Sequence, residues 1–247
     1  MNVDIYLMCY NEAQIIAHTI YHYRTMLPRC SITILDNMST DDSVAIARQH
    51  RCKIRQFRSD NEMSESIMLS LRNECWKSSI NKWVIMADMD EWLCVKDQDL
   101  IEEDKKGTTI LTVKGYNMIG DSKDIFLQDI NLHQLYHGVY ETVLNKSLCF
   151  KVGPIRDMNF TEGCHSCYPS GSQIQYSQKE YILKHMDYLG LPYKLDKQYK
   201  RWERSKKDRQ RGLNYHYQIT PDSLQANHER LIQSRMDIRP LLEGYCV

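Results

Sequence analysis

Two acidic side chains one residue apart, Asp88 and Asp90, close the apolar run Trp83-Val84-Ile85-Met86-Ala87, and Glu91 and Trp92 follow at once. Carboxylates at this spacing, at the end of a buried strand, offer hard oxygen ligands to one divalent cation or its bound water. Such a cation is what a phosphate-bearing ligand would need here. Neither G-x-G-x-x-G nor G-x-x-x-x-G-K-[ST] occurs in the chain, so the two glycine-rich loops that cradle phosphates are excluded. The plainer alternative is an acidic turn. Against it stands the apolar approach, because acids beside a buried strand are costly unless a cation or solvent compensates them. An EF-hand loop fails, since Trp92 and Leu93 stand where that loop needs an oxygen ligand and a glycine.

Two further groupings carry chemistry-bearing residues. Cys164, His165 and Cys167 suggest zinc, but no fourth ligand completes the spacing of a zinc site. Residues 194–211 hold nine lysines and arginines against Asp196, Glu203 and Asp208, with Tyr199 and Trp202 interleaved. The commonest role for such a segment is a solvent-exposed helix face. A second is a lid in which Arg201 or Arg204 closes over a diphosphate. Nucleic-acid binding is the third, and the balance of 32 Lys+Arg against 32 Asp+Glu weighs against it.

The elements that must position these residues are legible from periodicity. Val3, Ile5, Leu7 and Cys9 alternate as a strand does, and Ile16, Ile20, Tyr23 and Leu27 then recur at helical spacing until Pro28. A second strand over 31–35 leads through Asp36-Asn37-Met38-Ser39-Thr40 into a helix carrying Val44 and Ala47, with Ser39 and Asp42 placed as a helix-start capping arrangement. Strand 53–57, a helix with Ile67, Leu71 and Cys75 on one face, and strand 82–87 follow. This alternation predicts an α/β fold with a mostly parallel central sheet flanked by helices. In such sheets ligands sit at the carboxyl ends of the strands, where Asn11, Asp36-Asn37 and Asp88-Asp90 all fall. Strands are further expected over 108–114, 148–152 and 155–160, with turns over 164–172. From Tyr176 onward the chain reads as helical and basic, so residues 1–175 are expected to form the core and 176–247 a helical C-terminal extension of the same globular unit.

A chain of 247 residues with 42% hydrophobic and 26% charged residues suits one folded, soluble domain. No run approaches the roughly 20 apolar residues of a membrane span, and the N-terminus lacks the pattern of a signal peptide. The nine cysteines are scattered and odd in number, so reduced thiols and a cytoplasmic location are expected.

Tyr10-Asn11-Glu12-Ala13, Leu35-Asp36-Asn37-Met38-Ser39-Thr40-Asp41 and residues 83–93 resemble the three successive motifs of family 2 glycosyltransferases with the GT-A fold. The likeness is to a small subgroup that also has counterparts of Gly115-Tyr116-Asn117-Met118, Gly163-Cys164-His165, residues 185–190 and Asn214-Tyr215-His216-Tyr217. It implies a nucleotide-sugar donor, a UDP-sugar first and a GDP-sugar second, Mn²⁺ or Mg²⁺, and transfer with inversion to a glycan, lipid-linked or protein hydroxyl. It implies Asn11 and Glu12 beside the nucleotide, Asp36 or Asn37 on ribose or base, and Arg72 on base or phosphate. Asp88 would serve donor and cation, Asp90 and His165 would complete the cation's protein ligands, and His185 is the reserve. Many relatives carry two successive acids where this chain has Asp36-Asn37. Inverting transfer also needs a carboxylate to take the acceptor's proton, for which Glu141 comes first and Asp121 second. Two alternatives stay open, a nucleotidyltransferase, which would usually need a basic glycine-rich N-terminal loop, and a non-catalytic nucleotide- or glycan-binding module.

Overall fold

The computed structural model describes residues 1–218 and 220–245, the side chain of His216 excepted. The N-terminal part is β1 (Val3–Cys9), α1 (Ile16–Met26), β2 (Cys30–Asp36), α2 (Ser43–Gln49), β3 (Lys53–Gln56), α3 (Glu65–Glu74) and β4 (Trp83–Asp88). β1 lies between β2 and β4, parallel to both, with Ile5 opposite Ile32 on one side and Ile85 on the other. Its alternate residues feed separate cores. Val3, Ile5, Leu7 and Cys9 pack with α1, whereas Tyr6 and Met8 pack with Trp76, Met86 and Phe150. A strand buried on both faces loses its polar alternation, which is why β1 and β4 read as nearly continuous apolar runs.

The remainder comprises β5 (Glu91–Leu93), α4 (Asp97–Lys105), β6 (Ile110–Ile119), β7 (His137–Tyr140), β8 (Cys149–Lys151), β9 (Ile155–Asp157), β10 (Ser170–Gly171), β11 (Tyr176–Tyr188), α5 (Leu191–Arg204), α6 (Lys206–Gln210), α7 (Pro221–Ser234) and β12 (Met236–Asp237). The main sheet runs β3-β2-β1-β4-β8-β6-β7-β12, with β11 beside β6 and β5 on β11. Parallel ladders carry most of its pairing, and β8, β7, β5 and β12 are added antiparallel. The order β3-β2-β1-β4 reverses direction between β1 and β4, so the crevice outside their carboxyl ends is a topological switch point.

Three expectations give way to the structure. Residues 176–188 are not helical: β11 is a thirteen-residue strand, parallel to β6, and helix begins at Leu191. Ser39 does not cap α2. Its hydroxyl accepts from the Asn11 backbone N–H at 3.0 Å, while Asp41 accepts from Ser43 N–H. In α3 only part of the expected face holds: Cys75 at its end is buried but Ile67 is exposed, and the buried positions within the helix are Glu65 and Arg72.

Among the described residues no helix is long and apolar enough to cross a membrane. The eight cysteines described are free, and Cys246 lies outside the described residues.

His22, on the buried face of α1, donates from Nε2 to the Leu93 carbonyl at 2.9 Å and stacks on Trp92. Burial pushes its pKa down from the usual 6.5 to about 3. The folded state therefore binds fewer protons than the unfolded chain between those values, and stability is lost as pH falls through that window. Urea unfolding should show a lower midpoint at pH 5 than at pH 7.5, and His22→Asn should flatten that dependence; an unchanged slope would refute the assignment.

Candidate active site

The carboxyl ends of β1, β2 and β4 open into a cavity of about 450 Å³. Its floor is built by loops tied to each other. Asn11 adopts a left-handed backbone (φ 52°), which asparagine tolerates. From there its Oδ1 accepts from Thr40 N–H at 2.8 Å, clasping the loop after β1 to the loop after β2. Glu12 N–H donates to Ser43 Oγ at 2.8 Å. Burial raises the Glu12 carboxyl to about 7, with Lys197 opposing that rise and Asp90 adding to it.

Asp88 and Asp90, with one residue between them, enter different charge clusters. The Asp88 carboxylate is ion-paired with Arg72 and lies 3.9 Å from Lys146 Nζ. Lys146 also meets Glu91 at 2.7 Å and donates to the Gly163 carbonyl at 3.0 Å. Glu91 in turn accepts from the Asp88 N–H at 2.8 Å. Burial works against the Asp88 charge, but Arg72 and Lys146 outweigh it and hold the carboxyl below its usual value. Gly115 makes the approach of Lys146 possible, because a Cβ there would lie 2.2 Å from Leu144 Cβ.

Asp90 faces the end of β11 and the start of α5. His185 Nε2 is 3.4 Å from Asp90 Oδ2, and Lys197 is ion-paired with the same carboxylate. Arg201 Nη2 stands 3.5 Å from it. Asp187, two residues beyond His185 on the same strand face, is paired with Lys194 and lies 3.2 Å from Lys197 Nζ. Burial opposes ionisation of both acids, yet Lys197 and His185 hold Asp90 well below the ordinary carboxylate range, and Lys194 and Lys197 do the same for Asp187.

Ligand atoms of Asp90, His185 and Asp187 lie within 4.8 Å of one another, the one such grouping among the described residues. Two carboxylates and an imidazole suit Mn²⁺ or Mg²⁺ better with each added oxygen. The His185 ring is oriented for this: its Nδ1 donates to Asn117 Oδ1 at 2.6 Å, which directs Nε2 toward Asp90.

The cavity gathers Asn11, Glu12, Asn37, Arg72, Asp88, Asp90, His165 and His185 along its lining. Asn37 reaches it with Oδ1 accepting from Ser59 Oγ at 2.9 Å. Asp36 does not, since it is fully buried and accepts from Ser39 N–H and Gln56 Nε2. His165 lines the cavity but stands outside the Asp90 grouping, its Nδ1 held by the Val143 carbonyl at 3.0 Å. Neither Asp121 nor Glu141 is among the lining residues. Asp121 is 72% exposed and paired with His137 and Arg235, away from the cavity lining. Glu141 directly precedes the turn Thr142–Leu144, which leads into the lining residues Leu144 and Lys146.

Sequence reasoning missed Asp187, Lys194 and Lys197. The alternation His185-x-Asp187 was a strand signal, masked by reading 176 onward as helix. The basic helix is not a solvated face either, for Lys194, Lys197 and Arg201 line the cavity.

The fold is thus of the α/β class, a mostly parallel sheet flanked by helices with a charged crevice at its switch point. The glycosyl transferase family 2 model matches residues 4–156, and the chain belongs to that family. It is 39% identical to Protein RfbJ of Shigella flexneri over 46 residues, which are 19% of this chain and 36% of that protein. Among solved structures it is similar to S. aureus TarS, with a TM-score of 0.48 and 14% identity over 75% of this chain and 37% of that one. Against a mannosyltransferase from Pyrobaculum calidifontis in complex with GDP-Man and Mn²⁺, the TM-score is 0.34 and the identity 15%, covering 45% of this chain and 34% of the other.

The Lys146–Glu91 pair is almost wholly buried, at 6% and 3% exposure. Removing one partner of such a pair costs about 3–5 kcal/mol, because the other charge is left uncompensated. Lys146→Met should lower stability by about that much in urea titrations, and adding Glu91→Gln should recover part of it. A double variant no more stable than Lys146→Met would show that the pair is not the cause.

Proposed function

We propose that this chain transfers a sugar, with inversion, from a nucleoside diphosphate-sugar to an acceptor hydroxyl, using a divalent cation at Asp90, His185 and Asp187. The observation that carries this reading is the composition of the cavity wall, where six carboxylates meet seven lysines and arginines at the switch point of the sheet. No glycine-rich loop offers backbone N–H groups to a diphosphate, so side-chain cations must do so. When bound, the divalent ion would neutralise charge on the departing diphosphate. Arg201 and Arg204 present guanidinium groups from α5 that suit phosphate oxygens. Asn37 and Asn11 lie in the same wall, where the nucleoside would sit, and Arg72 holds Asp88 at the cavity edge. The buried Tyr193 hydroxyl lines the cavity without a hydrogen-bond partner, a donor that a bound ligand would satisfy.

The acceptor's proton is assigned to Glu141, which directly precedes the turn Thr142–Leu144 that leads into the lining residues Leu144 and Lys146. A positioned general base contributes about 10²–10⁴ in rate. Glu141→Gln should therefore cut turnover by at least about 100-fold with little change in donor KM. Turnover within a few-fold of wild type would remove Glu141 from the mechanism.

The donor is tested by hydrolysis and transfer assays across UDP-, GDP- and dTDP-sugars, UDP first, with and without Mn²⁺. Chelation by EDTA should weaken UDP binding in calorimetry by more than about tenfold, or about 1.4 kcal/mol. Asp90→Asn should abolish transfer with the fold retained. Unchanged UDP affinity in EDTA together with full activity of Asp90→Asn would sink the metal-bridge reading.

A further inference from the structure

Lys194, Lys197 and Arg201 stand at i, i+3 and i+7 on α5, so one helix face carries all three cations. That face is docked on Asp90 and Asp187. Lys197 occupies the central place: its ammonium pairs with Asp90 Oδ2 and is 3.2 Å from Asp187 Oδ1. These are two of the three groups that offer atoms to an ion. The stem of Lys197 is 8% exposed as a residue and its ammonium sits 5.4 Å from the Tyr193 ring centre, so this is a packed arrangement and not a surface contact.

A dication and an ammonium compete for these oxygens, because two positive centres held close together with little water to screen them repel each other. The cavity wall is already near charge balance, with six carboxylates and seven lysines and arginines. A dication alone would leave it strongly positive, and a diphosphate alone would leave it negative. Together they restore the balance, and the diphosphate offers the displaced ammonium new oxygens. Tyr193 adds an independent sign of an expected ligand, since its buried hydroxyl has no partner and lies in the field of Lys197, Glu12 and Asp90.

We infer that Lys197 is an intramolecular counter-ion that keeps the Asp90–His185–Asp187 site closed to a divalent cation until a nucleoside diphosphate arrives, so that ion and diphosphate enter together. This deepens the proposed function and rests on the site being a cation site.

The test measures Mn²⁺ binding to the full chain by electron paramagnetic resonance of the free ion, with and without UDP, corrected for Mn²⁺–UDP complex in solution. Wild type should bind Mn²⁺ weakly alone and at least ten-fold more tightly with UDP. Lys197→Met should bind Mn²⁺ alone at least ten-fold more tightly than wild type, with most of the UDP enhancement gone. His185→Ala added to Lys197→Met should abolish that gain, which locates the ion. Equal affinities of wild type and Lys197→Met without UDP would overturn the counter-ion role and leave the cation reading standing, whereas a gain that survives His185→Ala would put the ion elsewhere and overturn both. Absence of Mn²⁺ binding in every sample, UDP included, would overturn both. Lys197→Gln serves if the Met variant fails to fold, and a wild-type Mn²⁺ affinity indifferent to UDP counts against the inference without any variant.

Discussion

Taking a carboxylate out of water costs several kcal/mol unless a counter-charge and hydrogen bonds accompany it, and this chain buries or half-buries Asp88, Asp90, Glu91 and Asp187 around one crevice. Each has a basic partner: Arg72 for Asp88, Lys146 for Glu91, and Lys194 and Lys197 for Asp187 and Asp90. Much of the chain outside the sheet serves this pairing. The segment over Thr142–Leu144 must fit against Gly115 to deliver Lys146, and α5 must lie across the end of β11 to deliver Lys194 and Lys197.

The same constraint ties the ends of the chain together. Asp208 of α6 accepts from the Glu65 N–H at the start of α3 at 2.9 Å, and Glu65 accepts from Gly163 N–H at 2.6 Å. Arg204 stacks over the Tyr10 ring and bonds the Asn61 and Glu62 carbonyls. The cavity is thereby walled by β1, α3, residues 142–165 and α5 at once, and an acceptor or donor would touch residues far apart in the chain. A wall so nearly balanced in charge favours ligands that arrive as a neutralising pair, which is how a cation and a diphosphate behave.

Electrostatic pairing also separates two residues that spacing alone would unite. Asp88 and Asp90 are one residue apart, yet Arg72 draws one and His185 and Lys197 the other. At a strand end the backbone turns, so an i, i+2 relation no longer guarantees a shared face.

Local pattern was enough for the first half of the molecule. The apolar run of β1 with Val3, Ile5, Leu7 and Cys9 at alternate positions, the helix ended near Pro28 and the apolar run into Asp88 determined a parallel α/β core and the side of it on which the cavity opens, because side-chain periodicity is a property of the backbone itself. Asn11, Asn37 and Asp90 could be placed at strand ends for the same reason, whereas Glu12 and Arg72 were named only through the resemblance to the family. Tertiary structure decided the rest. The 176–188 segment is a strand because β6 and β5 lie beside it, a long-range pairing that its polar, lysine-bearing sequence does not announce. With that strand came Asp187, and with α5 folded across it came Lys197 as the partner of Asp90, more than a hundred residues away in sequence. Which carboxylate faces which cation depends on distances set by packing, and charge attraction of this kind leaves no periodic trace in the sequence.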